Sequence, residues 1–190
     1  MTVPETSGPA TLSGPGRLVL LLLDAAGSAP IPGRTHLQKE AFVVSRAVPA
    51  LADDLGFEPY FMGPHSSVLA DEAEQLELSE LVTAANGPLV LTAAGKAYAA
   101  QIERRLPEHD WLRVTELKSL LNDMTRDELL AFVYFGLVEE PLEEESEEYE
   151  RLVPLRGRLA RSLLKKGKVS RSRAAEIAGV ALEQFLIARP

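Results

Sequence analysis

The chain contains no cysteine among its 190 residues. Disulfide bonds, thiolate nucleophiles and cysteine-ligated metal sites are therefore excluded, and a reducing compartment, the cytoplasm, is the expected location. Long apolar runs are also missing, because the longest aliphatic run, from Leu18 to Leu23, ends at Asp24. A helix that spans a bilayer needs roughly 20 apolar residues, so the sequence predicts no membrane segment.

The sequence also lacks motifs for catalysis and metal binding. It has no glycine-rich phosphate loop, no nucleophile elbow and no HExxH helix. The three histidines, His36, His65 and His109, are too far apart in sequence to show metal-ligand spacing. We therefore expect no enzyme activity, no metal site and no cofactor.

Charge is present but unevenly distributed. The net charge of -8 divides into -5 for residues 1–105, -11 for 106–150 and +8 for 151–190. Eight acidic residues fall between Glu139 and Glu150, and the basic part starts directly after them. Two interpretations of this acidic run stay open: a solvated linker, or a polyanion that covers the following basic segment as DNA would.

Capping residues and apolar spacing predict helices in the N-terminal part. Residues 1–15, rich in glycine, proline, serine and threonine, should form a flexible leader. A short buried helix is expected over 18–26, ended by Gly27. A second helix should begin with Thr35 as its N-cap, and an extended piece should follow over 57–61. The apolar face of the second helix consists of Leu37, Ala41, Val44 and Val48.

A third helix, a hairpin and a fourth helix should complete this part. Ser66 or Ser67 opens the third helix. Two apolar stretches on either side of Asn86-Gly87 predict a β-hairpin, after which Thr92 caps the fourth helix. The order helix, helix, extended piece, helix, hairpin, helix is typical of a winged helix.

Further helices follow in the rest of the chain. One is expected over 111–121, and a capping box over 125–128 should start another. The tail then predicts a basic helix over 155–166, a helix over 171–178 with Ser170 as N-cap, and a last helix over 181–188. The two final helices meet at a glycine turn, the pattern of a helix-turn-helix.

Three ordered motifs resemble an uncharacterised prokaryotic winged-helix family. They are an Arg-Thr-x-Leu-Gln-Lys helix from Arg34, a Tyr-x-x-Gly-Pro-x-Ser turn from Tyr60 and a Leu-Thr-x-x-Gly wing exit from Leu91. Phe132-Val133-Tyr134 is similar to the downstream helix of that family. The resemblance covers about residues 16–138 and implies a winged-helix domain. Its Leu-Gln-Lys and Gly-Pro elements also resemble antitoxins that neutralise a toxin by direct contact and assist its proteolysis.

The tail resembles a second family. Residues 163–186 are similar to a small antitoxin-like helix-turn-helix family, which implies a partner or an operator rather than a substrate. The predicted fold is therefore mainly α with a small β-hairpin wing (α+β), a winged helix-turn-helix domain followed by a C-terminal helix-turn-helix. The predicted parts are a flexible leader over 1–15, a winged-helix domain with a helical extension over 16–138, an acidic linker over 139–151 and a basic helix-turn-helix over 152–190.

The tail is the candidate DNA-binding surface. Its last helix offers only Glu183 and Gln184 to base edges, so contact with the DNA backbone is the expectation. The other interpretation of the tail is a solvated basic helix face whose charge balances that of the acidic run. Eight cations in eighteen residues form the predicted site: Arg156, Arg158, Arg161, Lys165, Lys166, Lys168, Arg171 and Arg173.

The predicted winged helix favours a protein partner. The exposed face of its third helix is acidic and would repel phosphates. A toxin or a second copy of the chain, as a homodimer, is the expected partner. The candidate partner-binding residues are Arg34, His36, Lys39, Tyr60, His65, Asp71 and Glu72.

Taken together, the sequence predicts a non-catalytic regulator. It is either a DNA-binding transcriptional regulator or an antitoxin-like factor, with DNA contacted through the tail. The alternative is a protein-interaction module whose winged helix binds a protein partner rather than DNA.

Overall fold

The structure, a computed structural model, describes residues 12–84, 87–138 and 146–187. These residues are mainly helical, with a small two-stranded antiparallel sheet, so the predicted fold class is confirmed at that level. They divide into two compact units. Among the described residues, unit 1 comprises 12–56, 66–84 and 87–119, and unit 2 comprises 57–65, 120–138 and 146–187.

Most of the elements follow the predicted order. Unit 1 contains α1 (Gly14–Ser28), α2 (Arg34–Ala47), α3 (Ser67–Leu78), β1 (Val82–Thr83), β2 (Val90–Leu91), α4 (Ala93–Glu103) and most of α5 (Glu108–Asn122). Unit 2 contains the end of α5 and then α6 (Arg126–Gly136), α7 (Glu147–Leu152), α8 (Arg156–Lys165), α9 (Arg171–Ala178) and α10 (Leu182–Ile187).

Helix α1 forms the centre of unit 1. Every residue from Leu18 to Leu23 is at most 1% exposed, as expected for a helix that is apolar on all sides. It packs against α2, α3 and α4. The helical backbone breaks at Ala25–Gly27, where Gly27 has a φ of 71°. The predicted buried helix and its end at Gly27 are therefore confirmed.

The start of α2 differs from the prediction. The expected N-cap, Thr35, lies inside the first turn, and the cap is Gly33. The reason is visible in the backbone, because the N–H of Leu37 already donates to the carbonyl oxygen of Gly33 at 3.0 Å. Thr35 as N-cap was wrong, but the apolar face of this helix is confirmed, since all four predicted positions are buried.

The side chain of Gln38 joins two of the motifs. Its Nε2 donates to the carbonyl oxygen of Ser66 at 2.9 Å, and its Oε1 accepts from the N–H of Ser66, also at 2.9 Å. Ser66 in turn caps α3 by accepting from the N–H of Leu69 at 3.0 Å. The Leu-Gln-Lys helix and the Gly-Pro-x-Ser turn therefore hold α2 and the start of α3 together.

The sheet is short and ends at a tight helix start. Val82 pairs with Leu91 and Thr83 with Val90, while Asn86, at the predicted wing tip, lies outside the described residues. The hydroxyl of Thr92 accepts from the N–H of Gly95 at 3.0 Å, which confirms Thr92 as N-cap of α4. A Cβ at Gly95 would lie 2.0 Å from the carbonyl oxygen of Leu81, so only glycine fits there.

The predicted extended piece over 57–61 belongs to unit 2. Only Glu58 of that piece forms a bridge, exchanging backbone hydrogen bonds of 2.8 and 2.9 Å with His65. Farther along unit 2, α6 begins with the predicted capping box. The N–H of Thr125 donates to Glu128 at 2.8 Å, and the N–H of Glu128 donates to Thr125 Oγ1 at 3.3 Å.

The predicted leader and linker fall partly outside the described residues, which begin at 12 and omit 139–145. Gly14 and Pro15, the last residues of the expected leader, belong to α1, which Ser13 caps. The end of the acidic run is helical, because α7 covers Glu147–Leu152. No helix within the described residues is long and apolar enough to cross a bilayer.

A buried ion pair links α2 to α5 within unit 1. Lys118 Nζ lies 3.1 Å from Glu40 Oε2, and both side chains are 0% exposed. Burial raises the pKa of Glu40 to about 7, although the attraction of Lys118 works against it. Burial likewise lowers the pKa of Lys118. Glu40 Oε1 has no hydrogen-bond partner among the described residues, so the carboxylate depends strongly on this one contact.

Replacement of Lys118 by methionine should destabilise unit 1 by about 3–5 kcal/mol at about pH 8, because it leaves a buried carboxylate without a counter-charge. The pKa of Glu40, about 7 in the folded chain, lies above its ordinary value of 4.5. Protonation therefore favours the folded state, and the loss should shrink as the pH falls towards about 5. Urea unfolding followed by the fluorescence of Trp111, the single tryptophan, measures the effect.

The double variant Glu40→Gln/Lys118→Met serves as the control. It carries neither charge, so it should recover much of the lost stability at about pH 8 and should lose this pH dependence. A Lys118→Met protein as stable as the wild type at that pH would contradict the prediction.

Candidate nucleic-acid interface

Helices α8 and α9 carry six of the eight predicted DNA-binding cations, and Lys166 and Lys168 lie between these helices. Within α8, Leu159, Ala160 and Leu163 are buried, and four of the other seven positions are cations. Ser170 caps α9, because its hydroxyl accepts from the N–H of Arg173 at 3.2 Å. The predicted bounds of α9 are confirmed, and α8 is one residue shorter at each end than predicted.

A glycine turn separates α9 from α10. Gly179 has a left-handed φ of 71°, and the N–H of Val180 donates to the carbonyl oxygen of Ala175 at 3.2 Å. This is a common way to end a helix. Phe185 of α10 is only 4% exposed, and α10 packs on α9. The predicted end of the last helix, Ala188, lies outside the described residues.

Arg156 is occupied inside unit 2. Its Nε donates to the carbonyl oxygen of Ile177 at 2.7 Å and its Nη2 to that of Glu176 at 3.1 Å. The guanidinium also lies 4.2 Å from the centre of the Phe135 ring. A Cβ at Gly179 would approach the guanidinium to 2.8 Å. Arg156 therefore satisfies the carboxyl end of α9, where a cation is favoured.

Lys166 is bound to the capping-box carboxylate of α6. Its Nζ lies 2.7 Å from Glu128 Oε2, and Ser162 Oγ donates to Glu128 Oε1 at 2.6 Å. Burial by itself would raise the pKa of Glu128, but the hydrogen bonds from Lys166, Ser162 and the Thr125 backbone outweigh it and lower this pKa. The side chain of Glu128 thus contacts Ser162 of α8 and Lys166 after it, and also caps the start of α6.

Three further cations of the predicted site have partners. Lys168 Nζ lies 3.0 Å from Asp123 Oδ2, and its hydrogen bond lowers the pKa of Asp123. Arg173 Nη1 donates to the carbonyl oxygen of Gly136 and to Glu176, each at 2.7 Å. The Arg161 guanidinium lies 5.1 Å from the centre of the Phe185 ring. These contacts hold α8, α9 and α10 in unit 2.

The other three cations, Arg158, Lys165 and Arg171, are exposed. None of them has a hydrogen bond or ion pair with another described residue. The positive charge of Arg158 contributes, after that of Arg151 and Arg126, to the lowered pKa of Asp127. Lys165 ends α8, and Arg171 begins α9. Within the part of the chain that the structure describes, Lys165 and Arg171 are the predicted cations left for an external anion.

Helix α10 offers little to a base edge. Glu183 and Gln184 are exposed, as the sequence predicted. Leu186 and Ile187 are 54% and 80% exposed, and neither donates a hydrogen bond. Helix α10 has no arginine, lysine or asparagine, so Gln184 is its one side chain that can donate to a base edge.

The described end of the acidic run pairs with residues outside the predicted DNA site. Glu148 lies 3.0 Å from Arg126 and 2.9 Å from Arg151. Arg151 also donates twice to Asp127, at 3.0 and 2.6 Å. Five acids of the run, over 139–145, lie outside the described residues. The interpretation that the acidic run covers the basic segment therefore stays a prediction.

The predicted partner-binding residues lie in different surroundings. His36 and Lys39 are 6% and 2% exposed, so the folded structure does not present them to a macromolecule. Arg34 is exposed and forms an ion pair with Glu77. Asp71 is exposed and Glu72 is half-buried on α3. These five residues belong to unit 1.

The remaining two, Tyr60 and His65, belong to unit 2. Their rings stack with centres 4.8 Å apart, and the Tyr60 and Phe61 ring centres are 4.3 Å apart. Tyr134 Oη donates to the carbonyl oxygen of Phe61 at 2.8 Å. The turn from Glu58 to His65 is thus held by side-chain and backbone contacts, and Tyr60 is 42% exposed.

A comparison of the chain with protein-family models, with curated proteins and with solved structures finds no match. Among the described residues, no group of three or more histidine, aspartate or glutamate side chains is arranged to hold a metal ion. The description of this candidate interface therefore rests on the geometry of the chain itself.

Sequence reasoning missed the acids that hold the tail. Glu128 was visible only as the end of a capping box, and Asp123 carried no signal at all. Lys166 follows Glu128 by 38 positions, a separation at which no local pattern links a lysine to a carboxylate.

Replacement of Glu128 by glutamine should destabilise unit 2 by about 1–3 kcal/mol near neutral pH, because it weakens charge-assisted hydrogen bonds to Lys166 and Ser162. The pKa of Glu128 lies below its ordinary value of 4.5. Its stabilising contribution is therefore present above about pH 4.5 and is lost as the pH falls through the lowered pKa. Amide hydrogen exchange in α6 and α8 measures this difference.

Glu116→Gln is the matched control, because Glu116 is an exposed glutamate of α5 in unit 1. It should leave exchange in α6 and α8 unchanged. Equal exchange in Glu128→Gln and in the wild type near neutral pH would contradict the assigned role.

Proposed function

We propose that the protein is a non-catalytic regulator whose C-terminal helix-turn-helix binds the phosphate backbone of DNA. The observation that carries this proposal is the position of Lys165 and Arg171. Lys165 is the last residue of α8 and Arg171 is the first residue of α9, and both are exposed. Neither has a hydrogen bond or ion pair within the described ranges. Most of the other cations of the tail are occupied by partners inside unit 2.

The beginning of α9 is a second feature that favours phosphate. This helix end favours anions, although the N–H of Arg173 already donates to Ser170 Oγ. Arg171 occupies the first position of the helix. Phosphate contacts of this kind fix a protein on duplex DNA without reading its sequence. Since Gln184 is the one side-chain donor of α10, we propose backbone binding and assign no base specificity.

The topology of unit 1 supports a winged-helix interpretation. Between α1 and α2, Ile31 bridges to Leu89 with backbone hydrogen bonds of 3.0 and 2.8 Å. This adds a one-residue bridge at Leu89, directly before β2. The order helix, bridging residue, two helices and a hairpin is the arrangement expected of a winged helix.

Lys165→Gln/Arg171→Gln should weaken binding to a duplex DNA of mixed sequence. The loss of about two phosphate contacts should also reduce the slope of log K against log salt by about 2. Fluorescence anisotropy of a labelled duplex over a range of salt concentrations measures both effects.

The control is Lys96→Gln/Arg104→Gln, which removes two exposed cations from unit 1 and changes the net charge equally. It should leave the salt slope unchanged. Equal weakening by both double variants, or no salt-dependent binding by the wild type, would refute the proposal.

A specific observation favours a second function, binding of a protein partner through α3. Its outer face presents Val68, Asp71, Gln75 and Leu78, spaced so that they share one side of the helix. Val68 is 41% exposed and Leu78 is 75% exposed. Apolar side chains beside an acidic residue suit a protein surface better than phosphate, as an antitoxin-like factor or a homodimer would require.

Leu78→Ser tests the self-association form of this function. If two copies meet through α3, the variant should shift a dimer towards monomer by about tenfold in dissociation constant, because it removes a buried apolar anchor. Sedimentation velocity over a concentration series measures the shift. Leu112→Ser, at a leucine of α5 that is 55% exposed, is the control, and an equal effect of both variants would exclude α3 as the interface.

A further inference from the structure

Unit 1 contains a cleft of about 160 Å³. It lies between the start of α1, the turn at Pro49–Leu51 and the chain just after α4. Its apolar lining consists of Leu21, Leu51, Ile102 and Leu106. Leu21 is 0% exposed and Ile102 is 8% exposed, so the apolar part of the cleft reaches the core of the unit.

The cleft is also lined by charged side chains. Arg17, Arg105 and Asp53 all contribute to its wall and are exposed to solvent. None of the three side chains has a hydrogen bond or ion pair with another described residue. Two guanidinium groups with unused donors therefore stand beside an apolar pocket.

This combination defines a class of ligand. An apolar pocket with a few polar groups at its edge is the usual form of a small-molecule site. Arginine binds carboxylates through paired N–H donors. The volume limits the apolar part, because a cavity of about 150 Å³ holds a molecule of the size of benzene.

We propose that this cleft binds a small carboxylate that carries a short apolar chain. The chain lies against Leu21, Leu51 and Ile102, and the carboxylate accepts hydrogen bonds from Arg17 and Arg105. A plain carboxylic acid and an apolar amino acid share this chemistry, and Asp53 offers a partner for the ammonium group of the latter. The site is separate in its residues from the proposed DNA contacts and does not depend on them.

The test uses the full chain and three related probes. They are 4-methylpentanoate, its neutral amide 4-methylpentanamide, and leucine, which adds an ammonium group to the same carbon skeleton. Titrations followed by backbone amide NMR shifts report the affinity and the location together. A ligand of about eight non-hydrogen atoms should bind with a dissociation constant on the order of millimolar.

The expected result is saturable binding of 4-methylpentanoate or leucine with shifts at Leu21, Leu51 and Ile102, and at least tenfold weaker binding of the amide. Arg105→Gln should weaken the binding of the acid by about tenfold, since it removes a charge-assisted partner. Arg104→Gln is the matched control, because Arg104 is the exposed neighbour that does not line the cleft.

Preference for leucine over 4-methylpentanoate, lost in Asp53→Asn, would identify an amino acid as the ligand, and the reverse preference would identify a plain acid. Both outcomes support the proposed carboxylate site. The absence of saturable binding of either acid, equal binding of the amide, or equal effects of Arg104→Gln and Arg105→Gln would each overturn it. DNA binding is measured separately, so failure here leaves that proposal intact.

Discussion

The buried pair of Glu40 and Lys118 constrains unit 1, because neither charge can be removed alone without leaving the other without a partner. Two opposite charges without solvent contact are stable only while both are present, because either one alone would have to be buried without compensation. The pair fixes α2 to α5, although these helices are far apart in sequence. Glu40 follows Leu37, Gln38 and Lys39 directly, so the motif residues of α2 are held by the same contact.

The motifs that gave the family resemblance have structural roles in this chain. Gln38 joins α2 to the start of α3 through Ser66, Thr92 caps α4, and Gly95 allows a close approach that a Cβ would block. Gly95 is required by local geometry, and Gln38 and Thr92 contribute hydrogen bonds. These three residues therefore contribute to the fold of unit 1.

Some cations of the tail have partners inside unit 2, and others are left for an external anion. Arg156 satisfies backbone carbonyls at the end of α9, and Lys166 and Lys168 pair with Glu128 and Asp123. A net charge counted from the sequence includes all of them, yet a cation with a carboxylate partner contributes less to the outer field than a free one. The proposed DNA contact therefore depends on a smaller set of residues than the sequence indicated.

The sequence by itself determined the local elements: the buried run in α1, the caps at Thr92, Thr125 and Ser170, and the bounds of α9. Caps and apolar spacing act within a few residues, so they are visible without a structure. Tertiary structure decided which charges are used. The burial of Lys39, the partners of Lys166 and the cleft beside Arg17 and Arg105 all arise between segments that are distant in the chain. No periodicity records such contacts, because packing alone brings those side chains together.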